Sequence, residues 1–115
     1  TIENSLLSKK EYAKDSQKIY LTIIKNLNLL REHEYLANNK DSIKTIDRIK
    51  KRLIGYKDIT DSLDDEVKNS FEDGMYAVLA LTTTSHIIFK ELSTLNEQIE
   101  KISQQRSEDL FKIIN

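Results

Sequence analysis

Proline is absent from these 115 residues, and glycine occurs twice. Those two residues are the main interrupters of helices, the first by removing an N–H and clashing with the preceding turn, the second by its backbone entropy. A chain without them has little with which to build tight hairpins. A turn-rich sandwich or barrel is therefore excluded, as is a glycine-rich phosphate loop or dinucleotide fold. With 32% charged and 38% hydrophobic residues, the composition is that of an all-α protein with a real core. The length suits one domain, residues 1–115, which is either complete or the ordered part of a longer chain. A chain of this size is expected to bury about 65% of the surface its unfolded form exposes.

Other classes fall on the same arithmetic. There is no cysteine, so neither a disulfide scaffold nor a thiolate metal site can form. That fits a cytoplasmic location, and equally a secreted protein that needs no staples. Eighteen basic residues balance nineteen acidic ones, so nucleic-acid binding is not expected. No apolar stretch reaches the ~18 residues of a membrane span.

Apolar residues recur at helical spacing from Ser5 to Asn38, through Leu6, Tyr12, Ile19, Ile23, Leu27 and Leu30. The Ala37-Asn38-Asn39-Lys40-Asp41 segment has turn chemistry, and Asp41 or Ser42 is the expected cap of a second helix. Ile43, Ile46, Ile49, Leu53 and Tyr56 form that helix's inner face. A break is expected between Tyr56 and Asp61. Gly55 suits a C-terminal cap, and Thr60, Asp61 and Ser62 offer a new N-cap, with Asp64, Asp65 and Glu66 in the following turn. From Leu63 to Ile114 only Gly74 softens the helical pattern, as a break, a kink or a close crossing. The expected architecture is an antiparallel bundle of three or four helices, with one long C-terminal helix of coiled-coil character.

The sharpest local departure is a run of sixteen residues, Gly74 to Phe89, without a charge. A helix apolar around most of its circumference is buried on most sides. This one is read as the central helix of the bundle or the buried part of a dimer interface. A heptad stripe begins here: Val78, Leu81, Ser85, Ile88, Leu92, Leu95, Ile99 and Ile102 alternate spacings of three and four. Its hydrophobic members, Val78, Leu81, Ile88, Leu92, Leu95, Ile99 and Ile102, are the candidate interface, and Asp at Leu95 or Ile99 is expected to abolish pairing while the helices persist. Arg106 falls where a hydrophobe is due, so pairing should weaken there.

Charge is segregated. Residues 38–56 carry six basic and two acidic side chains, and residues 57–74 carry two basic and seven acidic ones. These blocks are expected to face one another across a hairpin. The basic side chains Lys44, Arg48, Lys50, Lys51 and Arg52 are the candidate contact for an anionic surface.

Chemistry is hard to place. Histidine phosphotransfer domains are all-α, of similar length, and carry one exposed His followed closely by Lys and Gly. Here His86-Ile87-Ile88-Phe89-Lys90 lacks the Gly and has the Lys one place late, and a partly buried His86 is expected instead. His33 lies between two glutamates, and the two histidines lack the Glu-x-x-His spacing of a di-iron bundle. The acidic segment Asp58 to Glu66 has no EF-hand ligand pattern and is read as helix-capping charge. Neither a catalytic constellation nor a metal, cofactor or small-molecule substrate is expected. The function expected is a non-enzymatic interaction module, a scaffold or adaptor that pairs helices with itself or another helical protein. The alternatives are a helical dimer on a membrane surface, a small bacterial or phage inhibitor or immunity protein, and phosphotransfer through His86.

Overall fold

Three helices account for nearly the whole chain: α1 (Ile2–Glu32), α2 (Lys40–Asn69) and α3 (Phe71–Ile114). The structure is a computed structural model. It describes the backbone of residues 2–114 and the side-chain surroundings of residues 14–63, 65, 66 and 68–114. No strand occurs among the described residues. At about 1.5 Å per residue the 44 residues of α3 span ~66 Å, close to the longest dimension of the molecule, 69 Å.

The first connection behaves much as its sequence suggests. α1 stops at Glu32, and residues 33–38 turn back on themselves: the Leu36 and Ala37 amides donate to the His33 carbonyl at 2.9 and 2.8 Å. The cap of α2 is Asn39 rather than Asp41 or Ser42. Its backbone is extended, and its side-chain oxygen accepts the Ser42 amide at 3.0 Å, satisfying a donor that the helix itself cannot.

The second connection lies elsewhere than expected. α2 runs without interruption through Tyr56–Asp61 to Asn69. Gly55 keeps a negative φ, and Thr60 Oγ1 donates to the Tyr56 carbonyl at 2.9 Å within the helix. Asp61 caps nothing; its carboxylate accepts from Lys57 one turn earlier at 2.6 Å, which raises the Lys57 pKa. The break is the single residue Ser70. Its amide donates to the Glu66 carbonyl, closing α2, while its hydroxyl accepts the Asp73 amide at 2.9 Å, opening α3. Gly74 sits buried in the first turn of α3 and breaks nothing. The acidic and basic blocks therefore lie largely along one helix, α2, and do not oppose each other across a hairpin.

α2 and α3 run antiparallel. Arg48 of α2 pairs with Glu91 of α3 at 3.1 Å, the two lying nearly equally far from Ser70 along the chain. α1 and α2 are antiparallel too: Arg31 pairs with Asp47 at 3.0 Å, and the Lys57 ammonium lies 5.7 Å from the Tyr20 ring centre. Among the described residues α1 packs on α2, and its C-terminal end alone shares a cluster with α3. There Leu27, Ile46, Ile49 and Leu95 are buried, with Leu30, Leu53 and Ile99 packed around them.

That core is small for the chain. A folded protein of 13.4 kDa ordinarily exposes about 6,500 Å²; this one exposes 9210 Å². Its radius of gyration is 19.4 Å, where ~13 Å is usual for this length. About half of the unfolded surface is buried, rather than the ~65% the length suggests.

Candidate interaction surface

The heptad stripe of α3 divides when it meets α2. Leu95 and Ile88 are buried and Ile99 packs on the core. Leu81 and Ile102 are half-buried, whereas Val78 and Leu92 are exposed. The chain's own α1 and α2 thus take up Leu95 and Ile99 as cluster neighbours.

A second face of α3 is left open. Phe71, Met75, Val78, Thr82, His86, Phe89 and Ser93 are all exposed, and they follow one another at spacings of 4, 3, 4, 4, 3 and 4 residues. That is an 11-residue repeat, which keeps a stripe on one side of a nearly straight helix. Phe89 is 69% exposed and Phe71 83%. Apolar side chains of this size are ordinary as single surface residues; Phe71, Met75, Val78 and Phe89 share one face, interrupted by Thr82 and His86. His86, expected to be partly buried, stands on this face. Thr82 adds little polarity to it, because its hydroxyl donates to the Val78 carbonyl of its own helix at 3.0 Å.

One face of the sixteen-residue charge-free run covers α2, and the other is uncovered among the described residues. Following a single heptad stripe misses Phe71, Met75, Thr82 and Phe89. The signal for them was the missing charge itself, since one buried face needs only part of a helix's circumference.

α3 extends past the first turn of α2. The 33–39 segment folds over part of this extension. With Leu30 and α3 it encloses a groove of about 350 Å³ lined by His33, Tyr35, Leu36, Ile102, Arg106 and Leu110, among others. The Arg106 guanidinium lies 3.4 Å from the Tyr35 ring centre, a cation–π contact that explains a charge on an otherwise apolar line. Leu110, Ile113 and Ile114 beyond it are exposed.

The polar candidates are partly committed. Arg48 donates to both Glu91 oxygens and to Thr45 Oγ1. Lys50 is half-buried, and Lys44, Lys51 and Arg52 remain exposed. The Arg31 hydrogen bond holds the Asp47 carboxyl below its ordinary pKa, while the same bond raises Arg31. The Asp58–Glu66 carboxylates are distributed along α2, and among the described residues no three His, Asp or Glu side chains gather in a way that could hold a metal ion. None of the helices is long and apolar enough, over the described residues, to cross a membrane.

No protein-family model, curated protein or solved structure matches this chain.

Proposed function

We propose that this chain is a non-enzymatic helical interaction module that works by helix–helix pairing through the open face of α3 and associates with itself. One observation carries the reading: a row from Phe71 to Phe89, apolar except at Thr82 and His86, lies uncovered among the described residues of a chain that already exposes about 2,700 Å² more than a folded protein of its mass ordinarily does. A stable protein interface buries about 800 Å² on each partner, so pairing α3 uses only part of that surplus. The α2–α3 pair then becomes half of a helical bundle completed by a partner, with helices packed two-deep on both sides of the charge-free run.

The segregated charge supports pairing over attachment to a membrane surface. Arg48, although half-exposed, is committed to Glu91, which leaves fewer uncommitted cations in the basic segment, each worth about 1 kcal/mol at an anionic surface. Sedimentation equilibrium across a wide range of concentrations tests the reading. A mass above 13.4 kDa that falls on dilution is expected. A constant 13.4 kDa, together with reagent-accessible α3 side chains, removes self-association as the function of this face.

A further inference from the structure

We propose that the occupant of the α3 face is a second copy of this chain, paired antiparallel about a two-fold axis at Thr82. This rests on the reading of α3 as a pairing surface and specifies its register. The spacings 4, 3, 4, 4, 3, 4 read the same in both directions from Thr82. A two-fold interface requires that self-complementarity, because each residue must meet its counterpart's partner twice. Antiparallel alignment then sets Met75 against Phe89 of the second copy, Val78 against His86, and Thr82 against Thr82. The thioether meets an aromatic ring, a favourable contact. At the axis the Thr82 hydroxyls are already bonded within their own helices, so burying them leaves no donor stranded.

Charge selects the same alignment. The charge-free run is bounded by Glu72 and Asp73 at one end and Lys90 at the other, all exposed. Its midpoint falls between Leu81 and Thr82, so the antiparallel pair places each Lys90 beside the other copy's Glu72, which flanks the row on the same side. A parallel pair in register would instead set acidic end on acidic end and basic on basic.

The chain contains no cysteine, so single cysteines report register directly. Under mild oxidation Thr82→Cys is expected to give a disulfide-linked dimer. Met75→Cys and Phe89→Cys are expected to link in a mixture of the two and not alone. Each linking to itself is the parallel outcome and overturns the proposal. Lys90→Glu should weaken dimerisation by about tenfold, since the contact occurs twice, and adding Glu72→Lys should restore it; failure of that rescue also overturns the register. A concentration-dependent dimer without these signatures leaves the pairing function standing and removes only this geometry. A monomer at every concentration, with Met75→Cys shielded from thiol reagents, assigns the face to another part of the same chain and overturns the second copy as its occupant.

Discussion

Truncating Leu95 to Ala separates the covered face of α3 from the open one. Leu95 is 4% exposed among Leu27, Ile46 and Ile49. Removing a buried leucine side chain costs about 3 kcal/mol, from lost transfer free energy and the cavity left behind. Typical stabilities of ~0.05–0.15 kcal/mol per residue give roughly 6–17 kcal/mol for a chain of this length, and the thin core places this one near the lower figure. The substitution therefore removes about half the stability of a single chain. With a urea m-value of about 1.5 kcal/mol per molar, the unfolding midpoint drops by ~2 M. Phe89→Ala is the control. At 69% exposure it forfeits little burial in the monomer, and its cost there stays below ~1 kcal/mol. Both are read by far-UV circular dichroism during urea unfolding in dilute solution, then again at high concentration, where Phe89→Ala alone should lose the added stability that pairing confers. Equal costs in dilute solution refute the division of α3 into two faces. The same burial means that Leu95→Asp, expected from the sequence to dissociate intact helices, unfolds them instead.

Three further outcomes follow from local geometry. Gly55 sits inside α2 with negative φ and open space where a Cβ would stand; Gly55→Ala should raise stability by about 0.5–1 kcal/mol in urea unfolding. Ser70→Ala removes the hydroxyl that accepts the Asp73 amide and should cost about 1 kcal/mol, seen as a lower unfolding midpoint. Asp47 has a lowered pKa through its Arg31 hydrogen bond. Its contribution is therefore present above the ordinary aspartate range and lost as pH falls through the depressed folded value. The pair is half-exposed, so the effect is small and salt-sensitive. Wild type and Asp47→Asn should differ in unfolding midpoint at neutral pH and converge in strong acid; a gap that persists in acid contradicts the assignment.

How far the sequence carries can be judged from its punctuation. The all-helical fold and the long C-terminal helix follow from the missing Pro, the rare Gly and the helical spacing. The asparagine-rich turn was visible, although Asn39 took the capping role from Asp41 and Ser42. The misplaced second break has a physical cause. Thr60, Asp61 and Ser62 suit a helix start, yet the same side chains sit comfortably on an exposed helix face when Thr bonds back to the preceding turn and Asp accepts from Lys57. Ser70 carried a usable signal, a Ser with Asp three residues on, immediately before an aromatic residue. At the candidate surface, periodicity gave the stripe that α2 partly covers, whereas the open stripe was legible only as an absence of charge. Deciding which apolar face a neighbour covers takes the packing of α2, which no local pattern encodes.

Ser70 is the only described residue between α2 and α3 outside a helix, and this bears on the order in which the chain acquires its structure. Closing so short a connection costs little chain entropy. The contacts of α2 with α3 are nearest to the turn in sequence, and such local pairings form in microseconds to milliseconds. During synthesis the α1 leucine Leu27 emerges long before its cluster partner Leu95, which stands 68 positions further along the chain. At about 5–20 residues per second that is a wait of roughly 3–14 s. α1 is thus made well before its cluster can be completed, and until Leu95 arrives Leu27 has only the α2 residues Ile46 and Ile49 of that cluster to pack on.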